Sequence, residues 1–188
     1  QPAETLIGGS LRAGILPPKQ VHRAAIACLV AGSLLGLAVV AFRVWPILAL
    51  GFASVLAAYF YTAKPISYGR RGLGEVMVFL FMGVVMVMAS YYVQLEAWSW
   101  RALYASLPVG ILVANILHAN NLRDIDNDRL RGKVTIADIT GRPIADLMLW
   151  ALTLGAFTIV VLPVALNQAP PYVLLVALPL PTALPLLL

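Results

Sequence analysis

Residues 102–133 read ALYASLPVGILVANILHANNLRDIDNDRLRGK, an apolar stretch followed directly by a strongly polar one. The apolar part is nearly as long as the roughly 20 residues that span a bilayer. The polar part, residues 120–133, carries three of the chain's eight carboxylates, although 61% of all residues are hydrophobic. Ionisable groups at the end of a membrane helix are costly unless something binds them. We therefore expect the functional site in residues 120–133, which we call the acidic segment.

The composition of the whole chain predicts a membrane protein. Only 11% of the residues are charged and the mean hydropathy is +0.90, values that exclude an ordinary soluble domain. Six segments are apolar enough to cross a bilayer: residues 24–42, 46–62, 76–93, 102–119, 144–166 and 172–188. The prolines at 179, 181 and 185 predict a kinked or poorly formed last span. We expect an all-α polytopic transmembrane bundle forming one membrane-embedded domain over residues 1–188, with the lipid bilayer as a partner and no nucleic acid.

Basic residues predict how the bundle is oriented. If the six segments alternate in direction, one set of loops carries most of the thirteen Lys and Arg residues. These residues are Arg12, Lys19, Arg23, Lys64, Arg70, Arg71, Arg123, Arg129, Arg131, Lys133 and Arg142. The opposite loops carry only Arg43 and Arg101, together with interfacial residues such as Trp98 and Trp100. The positive-inside rule therefore predicts a multi-pass protein of the cell membrane with the acidic segment on the cytoplasmic side.

Helical geometry would gather several polar side chains of the acidic segment on one face. If the helix of the fourth span continues through the segment, four of them share a face at 100° per residue. They are Asn120, Asn121, Asp124 and Asp128. Asp124 and Asp128 would lie one turn apart, close enough to share a ligand, and Asp126 would point away. Such carboxylate and amide oxygens suit a hard cation such as Mg²⁺.

A magnesium site would also imply a phosphorylated substrate, since Mg²⁺ usually keeps waters or substrate phosphates among its ligands. Arg123, Arg131 and Lys133 lie in the same segment and could bind phosphate oxygens. The alternative is a juxtamembrane loop whose Asp and Arg side chains simply pair in water. The spacing alone leaves both interpretations open.

Two polar residues lie deeper in the fourth predicted span. Asn115 is costly in lipid without a partner, so we expect it to face another helix or a cavity. His118 lies on a different face from Asp124, and we predict a packing or hydrogen-bonding role for it. Contact between His118 and a substrate is the alternative.

The acidic segment resembles a known motif. Its pattern is Asn-Asn-x-x-Asp-x-x-x-Asp followed by Gly-Lys-x-Thr, over residues 120–135. This resembles the second Asp-rich motif of UbiA-type intramembrane prenyltransferases, and most of all the branch that prenylates 1,4-dihydroxy-2-naphthoate in menaquinone synthesis. Two further segments are similar to that family. Tyr-Thr-Ala-Lys, at residues 61–64, resembles the segment after its fourth span, and Gly-Leu-Gly-Glu, at residues 72–75, resembles the entry to its fifth span. Residues 9–21 are similar to an earlier loop.

The resemblance implies a longer protein than these residues. The family has nine spans, and the six predicted here would correspond to its third through eighth. Its first Asp-rich motif lies on the second span, so that motif would precede Gln1. The sequence begins with Gln1 instead of Met, and its last residue, Leu188, lies inside an apolar run. We therefore expect the chain to be a fragment.

The resemblance also implies an activity and the residues behind it. The activity is Mg²⁺-dependent transfer of a polyprenyl group from polyprenyl diphosphate to an aromatic quinone precursor, and in the branch that the motif resembles most this acceptor is 1,4-dihydroxy-2-naphthoate. Asp124 and Asp128 would be the catalytic metal-binding acids, with Asn120 or Asn121 supporting the metal. The diphosphate would contact Lys64, Tyr61, Arg12 and Arg123.

Several alternatives to these roles stay open. Basic residues beside a span, such as Lys64 and Arg12, often serve only as interfacial anchors, and Tyr61 could do the same. Glu75 could interact with the substrate or only with the dipole of its own helix. The acceptor could be another quinone ring or a lipid. A different class of protein, an ion-coupled transporter, could also use paired carboxylates, although its site would usually lie near the bilayer midplane.

Overall fold

Helices account for every regular element among the residues that the computed structural model describes, residues 17–42 and 45–177. The chain divides into two units, residues 1–48 and 49–188. Helix α1 (Pro18–Phe42) belongs to the first unit, and α2 (Trp45–Thr62) begins there and continues into the second. The described side chains of α1 are nearly all exposed although the helix is apolar, as expected for a surface that faces lipid. The prediction of an all-α architecture is confirmed.

The second unit is built around one central helix. Helix α4 (Trp100–Arg123) packs against α3 (Gly74–Leu95) on one side and against α7 (Arg142–Ala165) on another. Two short helices, α5 (Ile125–Leu130) and α6 (Ile136–Thr140), connect α4 to α7. Short 3₁₀ helices at Tyr68–Arg70 and Pro171–Ala177 precede α3 and follow α7. The carboxyl end of α4 is surrounded by the start of α3, the short helices α5 and α6, and the start of α7.

Four helices in the described part of the chain are long and apolar enough to cross a membrane. They are Lys19–Ala38, Gly74–Leu95, Trp100–Arg123 and Arg142–Ala165. The apolar helix Pro46–Thr62 is shorter, near the lower limit of about 17 residues for a span. Tyr172 lies in the 3₁₀ helix Pro171–Ala177 and residues 178–188 lie outside the described residues, so the sixth span stays a prediction. The chain is therefore a multi-pass membrane protein.

Close contact between two glycines fixes α3 against α4. A Cβ atom added to Gly83 would lie 2.2 Å from the Gly110 Cα, so neither position has room for a larger residue without a shift of the helices. Small residues at such crossings let membrane helices pack closely. The part of α3 that crosses here, Phe79–Val85, is π-helical, a local widening that sequence periodicity did not predict. This crossing holds the start of α3 beside the end of α4.

Two loops are also joined at that end of the bundle. Gly72 N donates to Val134 O at 2.8 Å, and Val134 N donates to Arg70 O at 3.1 Å. Arg70 Nη2 also donates to Arg131 O at 2.8 Å. The loop before α3 is thereby hydrogen-bonded to the end of the acidic segment, which brings two stretches about 60 residues apart in sequence to the same site.

The helix of the fourth span does not continue unbroken through the acidic segment, so the condition for gathering four polar side chains on one helical face is not met. Helix α4 ends at Arg123, and Asp124, with φ −95° and ψ 10°, separates it from α5. Ile125, just after the break, is fully buried in a small core with Leu122, Ala137 and Ala145. We attribute the break to this burial, because the core is made by α6 and α7 folding back over the end of α4.

Candidate functional site

Two buried oxygen atoms hold a positive charge at the end of α4. Lys133 Nζ donates to Asp128 Oδ2 at 2.6 Å and to Asn121 Oδ1 at 2.9 Å. Asp128 is 6% exposed and Asn121 is 4% exposed. Lys133 reaches them because its backbone N–H donates to Asp128 O, in a turn that Gly132 makes with φ at +62°. We call Asn121, Asp128 and Lys133 the cation cluster.

Behind the cation cluster lies a second layer of buried polar side chains. Asn121 Nδ2 donates to Glu75 Oε1 at 2.9 Å, which ties α4 to the first turn of α3. His118 lies with Nδ1 3.5 Å from Glu75 Oε1 and with Nε2 2.9 Å from the Ala145 carbonyl oxygen. Glu75 and His118 are both buried. The hydrogen-bonding role predicted for His118 is confirmed, and the sequence did not predict its partner Glu75.

The remaining carboxylates of the acidic segment are more exposed and pair with arginines. Asp124 has 46% of its side chain exposed and accepts hydrogen bonds from Arg123 at 3.2 and 3.3 Å. These hydrogen bonds lower the pKa of the Asp124 carboxyl, and the positive charges of Lys133 and Arg131 act in the same direction. Asp126 is 76% exposed and pairs with Arg142, so it points away as predicted. Asp124 and Asp126 thus pair with arginines near solvent, whereas Asp128 is buried.

The oxygen atoms of the cation cluster fit a divalent metal in their chemistry. A carboxylate and an amide oxygen are hard ligands of the kind that Mg²⁺ prefers, and they already bind a cationic ammonium group. Within the described ranges no group of three or more His, Cys, Asp and Glu side chains could hold a metal. Magnesium is commonly bound by one or two carboxylates together with waters and substrate phosphates, so a small protein ligand set is sufficient.

The residues predicted to bind diphosphate lie in several environments. Lys64 is exposed just after α2, and the Arg123 side chain is 64% exposed. Tyr61 instead packs its ring edge-on against Tyr68, with the ring centroids 5.4 Å apart. Asn120, predicted as a metal ligand, is exposed in the last turn of α4. Arg12 lies outside the described residues.

Other polar residues of this region have structural partners. Asn115 Nδ2 donates to Thr153 Oγ1 at 2.8 Å, which confirms the expectation that Asn115 faces another helix. Thr135, the last residue of the motif, forms a capping box with Asp138 at the start of α6. The threonine of the motif therefore stabilises the local fold.

The chain is similar to known proteins over most of its length. The model of the UbiA prenyltransferase family matches residues 10–187. The chain is 30% identical to the 1,4-dihydroxy-2-naphthoate octaprenyltransferase of Bacillus subtilis over 175 residues, which is 93% of this chain and 56% of that protein. It is 35% identical to the enzyme of the same name from Escherichia coli over 132 residues, 67% of this chain and 43% of that protein.

A third relative carries a different name. The 2-carboxy-1,4-naphthoquinone phytyltransferase of Synechocystis is 30% identical over 143 residues, 76% of this chain and 47% of that protein. The chain thus spans about half the length of the curated relatives it matches. No solved structure matches the chain significantly.

Proposed function

This chain belongs to the UbiA prenyltransferase family, and from that premise we propose that the protein transfers a polyprenyl group from polyprenyl diphosphate to an aromatic ring carbon. We propose 1,4-dihydroxy-2-naphthoate as the acceptor, in menaquinone synthesis. In this reaction the allylic C–O bond breaks with its electron pair going to the diphosphate. A C–C bond forms at the ring carbon, and the ring carboxyl leaves as carbon dioxide. Membership in a family of transferases argues against the ion-coupled transporter.

The names of the relatives support the acceptor more strongly than the donor. Two relatives are named for an octaprenyl group and one for a phytyl group, so their prenyl groups differ. All three names contain a naphthalene ring that carries a carboxyl group. The shared part of the relatives' chemistry is therefore a carboxylated naphthalene acceptor, on which our choice of acceptor rests.

The observation that carries the proposal is the cation cluster at the end of a membrane-spanning helix. Asp128 and Asn121 would hold Mg²⁺ from the buried side, and Asp124 and Asn120 would complete its protein ligands from the exposed side. Bound Mg²⁺ would neutralise charge on the departing diphosphate. Family membership supports dependence on a divalent metal, and the hard oxygen ligands favour Mg²⁺ in particular.

Cationic side chains and apolar helices supply the rest of the chemistry. Lys133, Arg123 and Lys64 would donate hydrogen bonds to diphosphate oxygens, with Tyr61 and Arg12 as further contacts. The apolar surfaces of α3, α4 and α7 would keep water away from the allylic cation, which water would otherwise quench. In the proposed orientation, the cation cluster lies on the cytoplasmic side of the cell membrane, where charged diphosphate is soluble.

The proposed reaction can be tested with a panel of acceptors. Full-length protein in nanodiscs is incubated with labelled polyprenyl diphosphate, Mg²⁺ and one of several acids: 1,4-dihydroxy-2-naphthoate, 4-hydroxybenzoate or homogentisate. We expect labelled lipid product and released carbon dioxide only with the naphthoate, and no product when EDTA removes the metal. Product formed equally with all acceptors would contradict the acceptor, and product formed in EDTA would contradict the metal.

Lys64→Ala is expected to weaken diphosphate binding more than acceptor binding. Lys64 is exposed, so losing its contact should raise the KM for polyprenyl diphosphate by about fivefold, a typical effect for one solvated charge pair. The KM for the aromatic acceptor should stay unchanged in the same steady-state assay. Lys19→Ala, also exposed but in α1, is the matched control. An equal rise of both KM values would refute a role for Lys64 in diphosphate binding.

A further inference from the structure

The amide group of Asn121 lies between two neighbours that permit only one orientation of it. Its Nδ2 lies 2.9 Å from Glu75 Oε1, and its Oδ1 lies 2.9 Å from Lys133 Nζ. A carboxylate can only accept a hydrogen bond, and an ammonium group can only donate one. The Asn121 nitrogen must therefore face Glu75, and its oxygen must face the cation cluster.

We infer that Glu75 is a positioning residue, which turns the Asn121 oxygen toward the cation cluster and so makes that oxygen available as a ligand for a divalent cation. The inference rests on the proposed function, because it assumes that a metal binds Asp128 and Asn121. It extends that function by giving a role to a buried carboxylate on a different helix. Without an acceptor at Glu75, the amide can rotate by 180° and present two N–H donors to the metal, which repel a cation.

A role for Glu75 in its own helix does not explain its surroundings. Glu75 lies in the first turn of α3, where a carboxylate can interact with the helix dipole. The N-cap residue, Leu73, makes no side-chain hydrogen bond to this helix. The carboxylate is instead buried, with 6% exposure, and its hydrogen bond goes to a residue 46 positions away on α4. Burial of a charge for the sake of a helix end would be costly, whereas burial beside Asn121 and His118 gives it partners.

His118 holds the Glu75 carboxylate in place. The Ala145 carbonyl can only accept, so His118 Nε2, 2.9 Å away, carries a hydrogen. Nδ1 then faces Glu75 Oε1 at 3.5 Å, so the imidazole ring, fixed by the backbone of α7, lies against the carboxylate.

Exchanging the amide and the carboxylate between positions 75 and 121 tests the inference. In Glu75→Gln, which keeps the shape, the new amide nitrogen can donate to both His118 Nδ1 and the Asn121 oxygen, so the Asn121 amide is reversed. In Asn121→Asp, an oxygen faces the metal in either orientation, but two carboxylates now face each other. In the double variant, the glutamine donates to the aspartate, and the other aspartate oxygen faces the cation cluster.

The experiment measures how tightly Mn²⁺ binds to full-length protein in nanodiscs without diphosphate. The electron paramagnetic resonance signal of free Mn²⁺ reports how much of the metal remains unbound. Loss of a partner behind a metal ligand typically weakens binding about 10- to 100-fold, so we expect that rise in Kd for Glu75→Gln. The double variant should bind Mn²⁺ about as tightly as the original protein. Unchanged binding in Glu75→Gln, or a double variant no better than Glu75→Gln, would overturn the inference.

Two further variants separate the possible causes of a change. Thr153→Val removes the buried hydrogen bond between Thr153 and Asn115, which lies on the same helix as Asn121. This variant should lower the midpoint of thermal unfolding and leave Mn²⁺ binding unchanged. If Thr153→Val weakens Mn²⁺ binding as much as Glu75→Gln does, the effect is a general loosening of the bundle, and the positioning role is wrong.

Asp128→Asn tests the metal site itself. If Asp128→Asn binds Mn²⁺ as tightly as the original protein, the metal proposal and the inference both fail. If Asp128→Asn loses Mn²⁺ while Glu75→Gln still binds it normally, only the inference fails.

Discussion

Asp128→Asn is expected to reduce prenyl transfer by at least about 100-fold, the loss typical when one group that stabilises transition-state charge is removed. Asp128 is the buried carboxylate of the acidic segment, and its Oδ2 lies 2.6 Å from Lys133 Nζ. The substitution keeps the size of the side chain and removes only the charge. Turnover of polyprenyl diphosphate and 1,4-dihydroxy-2-naphthoate by full-length protein in nanodiscs, measured across a range of Mg²⁺ concentrations, gives the result.

Asp126→Asn is the matched control for that experiment. It makes the same chemical change two residues away, in the same short helix, where the carboxylate is 76% exposed and pairs with Arg142. We expect turnover to stay near that of the original protein, since an exposed pair contributes little. If Asp128→Asn and Asp126→Asn have equal turnover, the buried carboxylate has no catalytic role and the proposed metal site is wrong.

The helices of this protein could be predicted from the sequence because their main determinant is local. A bilayer requires long apolar runs, and these are visible without knowing which helices touch. Predicted spans 76–93, 102–119 and 144–166 lie inside the observed helices or differ by a residue at one end. The π-helical segment Phe79–Val85 and the close contact of Gly83 with Gly110 could not be predicted, since both depend on which helix packs against which.

The candidate site was less predictable because it is made by contacts between distant residues. Helical spacing grouped Asp124 with Asp128, but the chain leaves the helix at Asp124 and the two carboxylates differ in burial. Asn121 and Asp128 were both predicted as ligands, and the structure brings both to the Lys133 ammonium group. Glu75 is 46 residues from Asn121, and no spacing rule connects residues so far apart. The sequence marked Glu75 only as a carboxylate at the entry of a predicted span, within residues 72–75 that are similar to a family motif.

Lys133→Met is expected to change the binding of the two charged ligands in opposite directions. The Lys133 ammonium binds the same two oxygens that a metal would need, so its removal should tighten Mn²⁺ binding in the absence of diphosphate. The ion pair is partly exposed, with 25% of the Lys133 side chain and 9% of the Asp128 side chain accessible. Such a pair is worth roughly 1 kcal/mol, which corresponds to a Kd for Mn²⁺ lowered about fivefold.

Diphosphate binding should weaken in the same variant. Once a metal occupies the two oxygens, the ammonium group is free to donate to the diphosphate, and a hydrogen bond between charged groups contributes about 1.5–3 kcal/mol. The kcat/KM for polyprenyl diphosphate should therefore fall about 10- to 100-fold. Lys133→Arg keeps the positive charge and should retain more of the activity than Lys133→Met. It should not restore all of it, because the planar guanidinium group differs in shape from the compact ammonium group that contacts Asp128 and Asn121.

Thermal stability distinguishes this competition from simple damage to the fold. Lys133→Met leaves the buried Asp128 carboxylate without its cationic partner, so the midpoint of unfolding should fall when EDTA is present. Added Mn²⁺ should raise the midpoint more in this variant than in the original protein, because a ligand that binds the folded state more tightly stabilises it more. Asp128→Asn should lose this Mn²⁺-dependent rise altogether. Tighter Mn²⁺ binding with weaker diphosphate binding requires that lysine and metal compete for the same oxygens; weaker binding of both ligands would mean that Lys133 only holds the fold together.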